Sequence, residues 1–424
     1  MLAQRPYGSL ADYLCISVII ASILLVPLFG SVSSALIFAF AIFGGIVILV
    51  QGKLPALPRP VMLSAAAFAA FFAAEFLSGA VHWSGWVTLG EIGENIAFLG
   101  LIPCYMLISP SREKLFDALR LAAPWCAFAV FALAAYQRYG IDLRPQGGAG
   151  NAGVFAVTVA IVLSFTLVNL FTERRPRWII IAVAGVLAAA AALVLTGTRA
   201  QWPCLLLFPL ILWYAAGRSG GVSWRAALLG LGAVAIVAVA LSGTLAQAWR
   251  GAERDIAAAQ HGNYQTRLGK RFVIWQVGGE AAVERPILGH GLDAPHRIMA
   301  ERTSSIAGKE IAFSHFHNVV LNEMVRAGIV GTIALAAMLG VPLFLAARAH
   351  KDRVGTLGFG LLICFQSAFV FAGAVNIMLD HDIMDSQFLA NTVLCLYLVF
   401  GKGDERTGSR EMTASRPRAS TATA

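Results

Sequence analysis

The chain has 424 residues, of which 58% are hydrophobic and only 13% charged, with a mean hydropathy of +0.73. A soluble domain carries about 25% charged residues, and here apolar runs near the ~20 residues that cross a bilayer recur from end to end, so a soluble globular fold is excluded. The net charge of +9 does not make the chain a nucleic-acid binder, because the basic residues sit at span ends and in one polar segment rather than along a soluble face.

Twelve spans are predicted, at roughly 14–29, 33–50, 61–80, 89–109, 119–136, 152–171, 178–196, 201–217, 226–243, 327–347, 355–375 and 386–401. The fold class is therefore all-α, a polytopic integral membrane protein with one large external loop between helices nine and ten. Arg5 precedes the first span, but no small-residue cleavage site follows, so that span is read as a retained helix. Cys15, Cys104, Cys126, Cys204, Cys364 and Cys395 all fall in apolar spans, without zinc or disulfide spacing, and are read as packing residues. No internal repeat is visible.

Basic residues in the short loops set the orientation. Fourteen lie on one side, Arg5, Lys53, Arg112, Arg174, Arg218 and Lys351 among them, against Arg138, Arg144 and Arg199 on the other. Both termini are then expected in the cytoplasm. Residues 1–401 form the helical bundle, with 244–318 as a loop carrying short amphipathic helices on the outer side, the periplasm in a Gram-negative cell. Residues 402–424, rich in Ser, Thr, Ala and Arg, are expected to be a disordered cytoplasmic tail.

In chain order, the first groups with chemical potential are Glu91 and Glu94, three residues apart on one helix face. A carboxylate in a span is costly and so a functional candidate, with exposure to water at the span end as the alternative. Arg199, in the turn TGTRAQW, faces either lipid headgroups by snorkelling or the bundle interior. The external segment carries nine basic residues, which suit an anionic ligand or anionic headgroups. Within it Arg267, Lys270, Arg271 and Trp275 fall at helical spacing. Two guanidinium forks one turn apart suit bidentate phosphate recognition, whereas Phe272, Ile274 and Val277 fit an amphipathic helix lying on the membrane.

The stretch FSHFHNVVLNEMVRAGIVG, Phe313 to Gly331, runs from this polar segment into the next apolar span. On a helix His317, Leu321, Met324 and Gly328 share one face, with Asn318 and Asn322 a turn apart beside it. An imidazole just outside a membrane points to an interfacial active site, or else to a hydrogen-bonded interfacial histidine. His315 and His317, with His290 and His296 nearby, lack a specific metal-binding spacing, so no metal site is expected. Asp380, His381, Asp382 and Asp385 are expected to form a solvated turn.

Together these pieces resemble the O-antigen ligase and polymerase superfamily of bacterial glycan-assembly membrane proteins. His317-Asn318, nine residues and then Gly328-Ile329-Val330-Gly331 match the ligase pattern His-[Asn/Ser/Gln]-x9-Gly-x-x-[Gly/Thr/Tyr] at each fixed position. Arg271 to Trp275, followed by ERPILGHG (Glu284 to Gly291), resembles the superfamily's Arg…Trp…Pro-x-x-Gly-x-Gly signature. GTR with Arg199 sits at the turn between spans seven and eight, and QGGAGNAG (Gln146 to Gly153) resembles the Gly/Asn-rich lead-in to span six. Pro203 stands where the ligase Arg-x-x-x-Leu pattern has Leu, which leaves ligase and polymerase both open.

The resemblance implies a multi-pass protein of the bacterial inner membrane with its active site on the periplasmic side. The implied partners are an undecaprenyl-pyrophosphate-linked glycan donor, a lipid A-core acceptor and the lipid bilayer, without cofactor or metal. His317 is then the catalytic base. Arg199 and Arg271 bind the pyrophosphate, with Arg267 as alternate, and Trp275, Asn318 and Glu323 complete the substrate site. The competing readings are a polysaccharide polymerase using the same donor, and an anionic-solute transporter, which would place its binding groups at mid-membrane.

Overall fold

The computed structural model describes residues 9–54, 56–218, 249–311, 313–349, 351–376 and 378–403, with isolated positions at 232, 243, 246 and 247. Apart from 232 and 243, the predicted span 226–243 lies outside the described residues, as does the tail beyond 403. Among the described residues there is no strand. Thirteen helices with both ends described are numbered here: α1 Leu10–Ile23, α2 Ser31–Gln51, α3 Arg59–Val81, α4 Trp86–Met106, α5 Arg112–Ala135, α6 Ala152–Thr172, α7 Pro176–Leu195, α8 Pro203–Arg218, α9 Arg267–Glu284, α10 Ala294–Ala307, α11 Val319–Arg348, α12 Arg353–Val375 and α13 Asp382–Phe400. Residues 249–260 are also helical. Ten of the described helices are long and apolar enough to cross a membrane, and each coincides with a predicted span. α1 covers most of the first span but is shorter.

Several helices begin where the chain supplies a side-chain cap. Asn151 accepts from Gly153 N and Val154 N to start α6, Asn318 from Leu321 N to start α11, and Asp352 from Gly355 N to start α12. α6 is apolar on all sides and is accordingly buried on all sides, enclosed by α5, α7, α8 and α12. Its Thr and Ser hydroxyls donate within the helix, as Thr166 Oγ1 does to Val162 O at 2.8 Å, while Asn169 reaches across to Arg120 O on α5 at 2.6 Å.

α11 is not one straight rod. At Gly328 its backbone turns to φ 65, ψ −156, and the loop before α10 enters the break. His290 N donates to Val325 O at 2.7 Å and Gly291 N to Arg326 O at 3.2 Å, while Ile329 N and Val330 N donate back to Pro286 O and Ile287 O at 2.8 and 3.3 Å. Ser78 on α3 completes the exchange, its one hydroxyl proton shared between Leu288 O and Arg326 O at 2.9 and 2.6 Å. Non-helical backbone at such a position is stable only if every freed group finds a partner, and here the loop and the broken helix supply each other. A Cβ on Gly328 would overlap the Ile287 carbonyl, and one on Gly289 would lie 2.5 Å from Val325 O. The two glycine motifs of the sequence are thus two halves of one joint.

This break corrects one expectation. His317 precedes α11 instead of lying on it, and Gly328 interrupts the helix, so His317, Leu321, Met324 and Gly328 form no common face. The predicted apolar span also begins eight residues too late, because Asn322, Glu323 and Arg326 interrupt the apolar run in the first two turns of α11.

A second, smaller core covers this end of the bundle. Val273, Ile274 and Val277 of α9 pack with Ile298 and Met299 of α10 around the fully buried Phe316. The apolar face of α9, which also fitted a helix lying on lipid, is therefore covered by protein, and Phe272 alone of the three singled-out apolar residues is exposed.

Candidate functional site

The segment before α11 is pinned from three sides. Phe316 is buried in the small core, its carbonyl accepts the Trp275 indole N–H at 2.9 Å, and its own N–H donates to Asn322 Oδ1 at 3.3 Å. Held this way, His317 adopts φ 51, a left-handed conformation that costs a non-glycine residue of order 1 kcal/mol and persists only where the surroundings impose it. The imidazole is half-buried, edge-on to Phe313 and to His315 at centroid distances of 4.8 and 4.4 Å. Its Nδ1 lies 3.2 Å from Asn376 Oδ1.

Arg271 reaches the same place from α9. Burial and the positive charge of Arg271 both push the His317 pKa below its ordinary value, so the ring is neutral near neutral pH. His315 is pushed lower, to about 4, by burial and by His317. Arg267 sits one helical turn before Arg271 and is exposed. Burial, and then the charge of Arg267, weigh against the proton of Arg271.

Arg144 joins this group although sequence reasoning passed over it. Its loop is tied to the end of α5 by Gln137, whose amide oxygen accepts from Gln146 N and Gly147 N at 2.9 Å each. From there Arg144 Nε donates to Thr196 O at 2.8 Å and its terminal nitrogen to Thr198 Oγ1 at 3.3 Å, and burial, then the charge of nearby Arg267, lowers its pKa. The available signal was that only three basic residues occupy the short outer loops. Arg199, on the turn that Arg144 grips, is exposed. Among the described residues, none of Arg144, Arg199, Arg267 and Arg271 has a carboxylate partner.

The remaining predicted residues divide differently. The Trp275 indole and the Asn318 amide are used in holding the protein together; Asn318 caps α11 and reaches Ala374 O at 3.5 Å. Glu323 is buried and turned away from His317, toward Glu75 and over Gly331, where a Cβ would overlap its carboxylate. Glu91 points at Arg326 while Glu94 is exposed, so the two do not act as a pair.

Arg326 is the centre of a buried network. It donates to Glu75 at 2.8 Å and to Glu91 at 3.1 Å, and lies 3.2 Å from Asp380, which also accepts from Asn322. Of the turn expected to be solvated, Asp382 is exposed, but Asp380 joins this ion cluster, and Asp385 is buried and accepts from His381 N at 3.2 Å. The guanidinium of Arg326 presents five N–H donors, and Asp380 offers a third carboxylate acceptor beside Glu75 and Glu91. His290 is committed to Ala281 O at 2.7 Å and His296 to Phe313 O at 3.1 Å. Among the described residues, no three His, Cys, Asp or Glu side chains are grouped to hold a metal ion.

Chemically, the arrangement offers a neutral imidazole beside uncompensated guanidinium charge at one end of a membrane bundle. Comparison with known proteins points the same way. Residues 184–336 match the O-antigen ligase family, a stretch that contains Arg199, Arg267, Arg271, Trp275, His317, Gly328 and Gly331. The chain is also similar to an uncharacterized protein of Haemophilus influenzae, 24% identical over 265 residues, which are 60% of this chain and 65% of that protein. The alignment therefore spans less than two thirds of that relative's length.

Proposed function

Taking the match of residues 184–336 to the O-antigen ligase family as premise, we propose that this protein is a glycosyltransferase of the ligase type. It transfers a glycan from undecaprenyl pyrophosphate to a sugar hydroxyl of lipid A-core, at the periplasmic face of the inner membrane with both termini in the cytoplasm. The observation that carries the reading is the half-buried His317 kept neutral beside Arg271, with no carboxylate opposing the arginines among the described residues.

His317 takes the proton of the acceptor hydroxyl, the oxygen attacks the anomeric carbon, and the bond from that carbon to the pyrophosphate oxygen breaks. One displacement inverts the centre. Pyrophosphate needs no general acid to leave; it needs its growing charge neutralised by preorganised donors where water is scarce. Arg271 and Arg267 supply that charge, with Arg199 and Arg144 at the adjoining turn. The arginines thus fill the role that a divalent cation has in many phosphoryl-transfer sites. A neutral imidazole suits the base role near neutral pH.

Purified protein given a lipid-pyrophosphate-linked glycan and lipid A-core should form the conjugate. His317→Ala should reduce the rate by a factor of ~100 or more with an unchanged unfolding temperature. Normal transfer by a folded His317→Ala protein contradicts the base assignment. Pro203, at the ligase motif's Leu position, favours a second reading with the same donor. If the lipid-linked glycan itself is the acceptor and lipid A-core is refused, the protein is a polymerase.

A further inference from the structure

α12 ends at Asn376, whose N–H closes the helix on Ala372 O at 2.7 Å and whose side chain reaches sideways between two other elements. On one side its Oδ1 meets His317 Nδ1. On the other, its Nδ2 passes over Gly153 in the first turn of α6, where an added Cβ would come within 2.5 Å of it. Gly153 thus leaves the room the amide needs, which gives a physical reason for the last glycine of QGGAGNAG. The same end of α12 is tied to the residue after His317, since Asn318 Nδ2 donates to Ala374 O.

An amide oxygen only accepts, so the bond to Asn376 forms only if His317 carries its proton on Nδ1. The Nε2 lone pair is then the one left for a substrate. We propose that Asn376 is a positioning residue that fixes the ring and tautomer of His317 so that Nε2 acts as the base; this rests on the glycosyl-transfer reading given above. A neutral amide suits the task better than a carboxylate would. It orients the ring as a carboxylate does, but adds no negative charge that would favour the imidazolium. The other titratable and charged groups around the ring are Arg271 from α9, His315 in its own segment and, across His315, Asp380 and His381 from the loop that carries Asn376. In the transfer step the proton moves from the acceptor hydroxyl to Nε2, the glycosidic bond forms as the bond to pyrophosphate breaks, and the imidazolium afterwards returns its proton to water.

The test uses the full-length protein in lipid nanodiscs with nitrogen-labelled histidine, His317 being assigned by its loss in His317→Ala. NMR should show the Nδ1–H tautomer in the wild type. Asn376→Ala and Gly153→Ala should both give a tautomer mixture. Asn376→Asp should keep the tautomer and raise the His317 pKa by about one unit. In the transfer assay Asn376→Ala should lower kcat about tenfold to a hundredfold with little change in donor KM. Asn376→Asp should recover turnover only at higher pH, with the acid limb of the pH–rate profile moved up by the same unit. Identical tautomer and pKa in all variants, or an unchanged kcat in Asn376→Ala, overturns the proposal. If the NMR changes appear but the wild type transfers no glycan from any pyrophosphate-linked donor, the contact is upheld and the glycosyl-transfer reading fails.

Discussion

At the scale of single residues, the account turns on what kind of positive charge faces the donor. Arg271 is half-buried on α9 and acts on His317, so its contribution has two parts, a fork of donors and a field. Lysine keeps the field and loses the fork. Arg271→Lys should therefore lower turnover at least about tenfold, the worth of one charge-assisted hydrogen bond, while the protein stays folded. Wild-type activity in that variant would assign Arg271 to headgroup anchoring. His317, Arg267 and Arg271 stand out in the sequence by spacing and residue type, and the structure brings Arg271 to His317 with Arg267 beside it. The sequence did not show Asn376 or Arg144, because both act across the fold, 59 residues from His317 in one case and 52 from Thr196 in the other. Nor could it show that Trp275 and Asn318 have their polar groups committed to the protein's own backbone.

At the scale of elements, the joint between the loop ending at Gly291 and the broken α11 positions the rest. It sets where Arg326 enters its carboxylate cluster and where Asn322 can hold Phe316 and Asp380 together. Gly328→Ala places a side chain on a positive-φ residue and against a backbone carbonyl that has no room to move. The cost should be at least about 2 kcal/mol, read as a lowered unfolding temperature in nanodiscs. Gly45→Ala on α2, where an added Cβ meets nothing within 4 Å, should cost nothing measurable and serves as the control. Equal stability of the two variants would mean that the joint is not under the constraint described. Hydropathy periodicity located the spans well, since each apolar run is a local property. It missed the break and put His317 on a helix because hydrogen bonds between distant segments leave no mark in a periodic pattern. Asp380 read as solvated for a similar reason: its partner, Arg326, is 54 residues away.

At the scale of the whole molecule, basic residues are many in one set of short connections and few in the other, while Arg267 lies near both Arg144 and Arg271, and Arg271 near His317. A transporter would hold its binding groups near mid-membrane; here His317, Arg144 and Arg199 lie in connections between helices, and Arg271 lies on α9, which is not one of the ten helices long and apolar enough to cross a membrane. That placement favours chemistry on substrates that stay at one face of the membrane. The most direct test is a lipopolysaccharide gel from the source strain with the gene deleted and then restored as wild type or as His317→Ala. The account predicts bare lipid A-core in the deletion strain, long glycan retained on its lipid pyrophosphate carrier, a normal ladder with the wild-type gene and bare core again with His317→Ala. An unchanged ladder in the deletion strain would contradict it.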